Sequence, residues 1–112
     1  MRSKNHYLEN KKVARKIILE YLHFFAALYK VKFRKVAIRN QRSKWGSCSK
    51  AKNLNFNYKV AFLPNDQRDY VVVHELCHLI EFNHSKKFWA EVARTIPNYK
   101  EIRKKVKSTS LR

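Results

Sequence analysis

Three histidines and one glutamate fall within a single short segment: His74, Glu75, His78 and His84. The order His-Glu-x-x-His sets two histidines four positions apart. On a helix that spacing leaves them about 40° apart around the axis and one turn apart along it, so both imidazoles reach one ion. Glu75, about 100° from His74, borders the same face and can take a proton from a water held there. A continuous helix would aim His84 roughly 120° away from that face. The chain must therefore turn first, and Asn83, which tolerates left-handed backbone, is the expected place. Three neutral imidazoles plus one water make the open, four-coordinate arrangement of catalytic zinc.

Other third ligands come into consideration. Glu101 lies at a distance from His78 at which some zinc hydrolases place a glutamate, on a following helix. Its neighbours Lys100, Arg103, Lys104 and Lys105 equally make it a surface ion-pair partner. His84 is preferred. Cys77 reads as a small packed residue, and Glu81 as a hydrogen-bond partner of a ligand histidine or a solvated group. The spacing of the four residues is that of the metzincins, HExxHxxGxxH. Glu81 occupies the glycine position, however, and no Met follows Met1, so the Met-turn cannot form. Metzincin membership is excluded.

The elements that must position these groups follow from periodicity. Residues 8 to 29 place Val13, Ile17, Ile18, Tyr21, Leu22, Phe25, Leu28 and Tyr29 at helical spacing, which predicts a long amphipathic helix over the core. Val31, Phe33, Val36 and Ile38 alternate with basic residues, as a half-buried strand does. The stretch around Gly46 reads as a turn or irregular link. Asn53–Val60 alternates strictly, with Leu54, Phe56, Tyr58 and Val60 on one side and Asn53, Asn55, Asn57 and Lys59 on the other. Pro64-Asn65-Asp66 predicts a helix start with Asn65 as cap, running to about Phe82. Ser85 caps a further helix with a stripe of Phe88, Trp89, Val92 and Ile96, ended by Pro97. A last basic helix uses Tyr99, Ile102 and Val106.

Composition bounds the possibilities. The 112 residues carry 26 Lys+Arg against 8 Asp+Glu, a net charge of +18, and 45% are hydrophobic. That length and apolar content predict one domain, residues 1–112, with a real core. A single Gly excludes phosphate-binding glycine-rich loops and disfavours barrels and propellers. The longest apolar run, Phe24 to Tyr29, is far short of a membrane span. Cys48 and Cys77 form no CxxC and, with no export signal, are expected as reduced thiols in a cytoplasmic protein. No acid occurs between Glu20 and Asp66, so a basic surface able to contact nucleic acid is expected.

Four ordered blocks, SKWGSC (Ser43–Cys48), LNFN (Leu54–Asn57), YVVVHELCHL (Tyr70–Leu79) and NHSKKFW (Asn83–Trp89), closely resemble the YgjP-like metallopeptidases, relatives of the SprT-like and WLM zinc proteases. The resemblance covers roughly residues 12 to 107. It implies a minimal zincin-like α+β fold, with His74, His78 and His84 as zinc ligands and Glu75 as general base. It also implies that the WGSC block belongs to a small sheet above the catalytic helix.

The expected function is a zinc-dependent hydrolase, foremost a metallopeptidase cleaving a protein or peptide substrate. Its chemistry would be attack by a zinc-bound water, assisted by Glu75. Substrate is expected to pair by strand addition along an edge near the polar Asn53–Lys59 face. Tyr58, Tyr99 and Arg42 are candidates for stabilising the transition state. One alternative is a basic nucleic-acid-binding module with a structural zinc, Cys48 being the fourth ligand. Another is a metal-dependent hydrolase of nucleotide phosphoanhydrides. The sequence leaves the oligomeric state open.

Overall fold

The computed structural model describes residues 4–109 and 111. Helix α1, Lys4–Tyr29, starts earlier than its apolar pattern suggests; it contains neither Gly nor Pro to interrupt it. Its buried stripe is Ala14, Ile18, Leu22, Phe25, Ala26 and Tyr29. Burying a side chain such as Ile18 or Leu22 contributes about 1.5–3 kcal/mol. The stripe is rotated from the expected one. Val13 and Leu28, expected in the core, are exposed, because the small Ala14 and Ala26 lie on the buried line and let the helix sit close. The helix ends with Lys30 in the left-handed region (φ 55°). Lys30 N–H bonds Ala27 O and Val31 N–H bonds Ala26 O, a Schellman closure.

Three short strands follow: β1 (Lys35–Arg39), β2 (Gly46–Cys48) and β3 (Asn53–Asn57). The sheet order is β1-β3-β2, with β1 parallel and β2 antiparallel to β3. Three expectations are corrected here. Residues 31–34 lie outside the first strand. The WGSC stretch, which local pattern marks as irregular, forms strand β2, as the family resemblance implies. It is held by Asn57 N–H to Trp45 O and by a tight turn with Lys52 at φ 67°. Finally, β3 stops at Asn57. The Asn57 Oδ1 accepts from Lys59 N–H and starts a 3-10 helix, Tyr58–Phe62, while Nδ2 donates to Gln41 O at 2.6 Å. Asn57 is fully buried, not on a solvated face. Because β1 and β2 occupy both edges of β3, no free edge exists along Asn53–Asn57; the outer edges belong to β1, whose Val36 and Ile38 carbonyls accept from Arg15 and Tyr7 of α1, and to β2.

Helix α2, Asn65–Cys77, passes through the middle of the molecule and is packed by α1, α3, α4 and β2. Tyr70, Val71, Val72, Val73, Leu76 and Cys77 are all buried, so nearly its whole circumference is core. Pro64 stands at its N-cap position, and Asn65, expected as cap, is the first helical residue, accepting from Arg68. The helix ends at Cys77, not Phe82. Leu79 N–H to Leu76 O and Ile80 N–H to Cys77 O tighten the chain into a turn. Asn83 is not left-handed; among the described residues only Lys30 and Lys52 have positive φ. Helix α3 (Lys86–Thr95) begins at the expected Ser85 cap, and α4 (Tyr99–Ser108) buries Ile102 and Val106. The result is the expected α+β architecture: long N-terminal helix, small sheet, central helix, C-terminal helices. No helix among the described residues is long and apolar enough to cross a membrane.

Candidate metal centre

His74 sits in the last turn of α2 and His78 is its C-cap, still in helical conformation (φ −65°, ψ −17°). Their rings therefore meet one turn apart, edge to face, with centroids 4.9 Å apart. The turn after Cys77 carries the chain back over this face and brings His84 to it, with His84 Nε2 3.2 Å from His74 Nε2. One nitrogen from each of His74, His78 and His84 lies within 4.8 Å of the others. Nitrogens bound tetrahedrally at about 2.0–2.1 Å would stand about 3.3 Å apart, so the 3.2 Å edge suits a zinc-sized ion.

The protonation pattern agrees. The Glu75 carboxylate, 3.1 Å from His74 Nδ1, accepts a hydrogen bond from Nδ1–H in the tautomer whose Nε2 lone pair faces His84. Burial lowers the pKa of His78, and the neighbouring His74 lowers it further. The same two causes, with His78 added, lower that of His84. Neutral imidazoles are the form that binds a metal.

Beneath the three rings lies Phe88 of α3, fully buried. Its ring centroid is 5.2 Å from that of His74, 4.4 Å from that of His78 and 4.9 Å from that of His84. Its spacing marks Phe88 as a core residue and does not link it to the histidines. Gly46 is a second residue whose role only the fold reveals. A Cβ there would stand 3.1 Å from Asn55 O, 3.1 Å from Glu75 Cγ and 3.2 Å from Glu75 Oε2. Its φ is not positive. The absent side chain thus makes room for Glu75, which is buried at 5% exposure.

The remaining candidates lie outside the converging group. Among the described residues the three histidines alone form the group able to share an ion. Glu101 is exposed on α4. Glu81 accepts from the Ser85 hydroxyl. Cys77 is fully buried, its thiol pushed up to about 12 by burial. Cys48 is half-buried, and burial, then the nearby Glu75 charge, push its thiol up to about 11. Tyr58 is fully buried and bonded to His6, Tyr99 stacks on Trp89, and Arg42 is exposed in the β1–β2 loop.

Among the described residues, three cavities border the centre: one of about 250 Å³ beside His78, lined by Lys50, Leu79 and Phe82, and two that share Arg103. Of these two, one, about 220 Å³, is bounded by Trp45, Gly46, Tyr70, His74, Glu75 and Arg103. The other, about 780 Å³, opens beside His84 between α3 and α4 and also includes Arg103. Tyr70 and Arg103 at the centre were not singled out by sequence pattern. Burial pushes the Tyr70 hydroxyl up to about 12, with the nearby Arg103 charge opposing, so it stays a protonated donor.

A family model described as YgjP-like, metallopeptidase domain, matches residues 3–109. The chain belongs to the YgjP-like metallopeptidase family. It is thus a metal-dependent peptidase by family, and its three converging histidines could hold the metal. Its fold resembles the crystal structure of the metallopeptidase zymogen abylysin from Pyrococcus abyssi. That match has a TM-score of 0.71 and 25% identity, over 80% of this chain and 90% of that one. The metallopeptidase zymogen jannalysin from Methanocaldococcus jannaschii shares the fold at a TM-score of 0.60 and 24% identity, over 83% and 92% of the two chains. A search of curated proteins gives no match.

Proposed function

We propose that this YgjP-like chain is a zinc peptidase in which His74, His78 and His84 hold the ion, Glu75 is the general base, and residues 1–112 act as one catalytic domain. The observation that carries the reading is three imidazole nitrogens within 4.8 Å of one another, next to a buried carboxylate. A donor set of three neutral imidazoles suits zinc and leaves one position open. When bound, zinc polarises the scissile carbonyl and brings water to a pKa near 7. Glu75 uses Oε2 to hold His74 in its metal-binding tautomer, while Oε1 takes the proton from the attacking water and passes it to the leaving amine. Along β2, Trp45 O and Ser49 N–H bond β3, so the backbone groups of Gly46 and Cys48 face outward. They offer an extended substrate a strand to pair with, directly above Glu75.

A structural zinc would require a fourth protein ligand, and Cys48 is not in the converging group. The charge of +18 supports substrates met on or near nucleic acid, since it attracts polyanions. The test is hydrolysis of unfolded proteins with and without DNA, combined with zinc analysis. Wild type should bind one zinc and cleave; Glu75→Ala should keep the zinc and lose at least about a hundredfold in rate; His84→Ala should lose the zinc. Equal cleavage by wild type and Glu75→Ala removes the catalytic assignment, and undiminished zinc in His84→Ala removes the ligand assignment.

A further inference from the structure

The larger cavity has no part in the chemistry above. It opens beside His84, and its wall is apolar: Trp89 stacks on Tyr99 with ring centroids 5.0 Å apart and 12° between planes. Lys100, Arg103 and Lys104 stand around it, against the single carboxylate of Glu101. The guanidinium of Arg103 lies 5.3 Å from the centre of the Trp89 ring, a cation–π contact that holds it to the wall. Arg103 also borders the smaller cavity containing His74 and Glu75. It therefore stands where the two cavities meet.

We propose that this α3–α4 cavity is a specificity subsite that takes an acidic side chain of the peptide substrate, next to the bond cleaved. The inference rests on the peptidase reading and adds the substrate class to it. Three cations against one carboxylate give the cavity a field that favours an anion and repels Lys or Arg. The planar fork of Arg103 matches a carboxylate in two parallel hydrogen bonds. The aliphatic part of a glutamate side chain finds the Trp89–Tyr99 wall, which a bare anion would leave unused. A substrate paired along β2 and lying over the metal centre would reach this cavity with the side chain that passes Arg103.

The test uses zinc-loaded Glu75→Gln protein, which should bind without cleaving, and wild type freed of zinc as a second non-cleaving form. Peptides identical except for Glu, Gln or Lys at one position are titrated while Trp fluorescence is followed. The Glu peptide should bind about tenfold tighter than the Gln peptide, and the Lys peptide most weakly, as expected for a charge-assisted contact. Arg103→Ala should erase the Glu–Gln difference, and Arg103→Glu should reverse the preference towards Lys. Equal binding of the three peptides, or a preference untouched by Arg103→Ala, overturns the subsite whatever the wild type cleaves. ATP titrated in the same way, bound by wild type and lost in Arg103→Ala with peptide binding unchanged, assigns the cavity to nucleotides and likewise overturns it. Selective binding in a wild type that cleaves no peptide would leave the subsite standing and remove the peptidase reading.

Discussion

The two halves of the candidate metal centre are built on opposite terms. His74 and Glu75 lie on α2, which is buried nearly all round, so their backbone cannot move without disturbing the core. His84 lies in an exposed segment between two helices and reaches the same point only because the chain turns after Cys77. In the proposed centre this makes the His74–Glu75 side rigid and leaves His84, on its surface segment, the adjustable member. The price of that adjustability is that His84 depends on side chains, chiefly Phe88 and Ser85, to stay in place.

Phe88 joins the halves, since its ring touches all three imidazoles. Phe88→Ala is expected to have the largest effect on stability, a loss of about 3–5 kcal/mol for a fully buried ring. Urea denaturation measures it. Phe88→Leu keeps most of the volume and should keep the fold, while zinc affinity falls by about tenfold as the imidazoles lose their common support. Unchanged zinc affinity in Phe88→Leu would mean that the histidines are positioned by their own elements alone.

Gly46 tests the rigid half by itself. In Gly46→Ala the new methyl meets Glu75 Cγ and Asn55 O at 3.1 Å, so β2 or the carboxylate must shift. The expected cost is about 1–3 kcal/mol in stability, with hydrolysis reduced by more than the stability loss explains. Zinc content should stay at the wild-type level because no ligand is touched. A Gly46→Ala protein with wild-type turnover would show that Glu75 has room to spare.

How far the sequence announces all this depends on the range of the interactions. The HExxH helix is legible because the four-residue spacing and the apolar run act within one element, and the Ser85 cap is legible for the same reason. The three-residue β2 is too short to display alternation, and it exists because Asn57, distant in sequence, bonds Trp45. Asn57 follows the pattern of a polar strand face, yet its amide is needed inside to bond Gln41 and Lys59. The lone Gly46 looks like a turn residue, while its actual role is to clear space for Glu75, which no local pattern encodes. Elsewhere, lysines hold the left-handed positions that a glycine would ordinarily take. Arg103 is one cation among many until α4 packs on α2 and sets it between two cavities.

The smallest effect should come from Ser85, and it isolates the adjustable half. The Ser85 hydroxyl accepts from Phe88 N–H at 3.3 Å and donates to Glu81 Oε1 at 3.5 Å, so it pins both flanks of His84. Ser85→Ala removes the cap of α3 at a cost of about 1 kcal/mol. The hydrogen bonds of Ser85 go to Glu81, Asn83, Phe88 and Trp89 and none to α2, so Glu75 should remain seated and the loss should appear in metal affinity, by at most about tenfold. Ser85→Thr retains the capping oxygen and should restore both quantities. A drop in turnover at saturating zinc in Ser85→Ala would mean that the loop also positions substrate, and the division between a rigid catalytic half and an adjustable ligand half would then be too sharp.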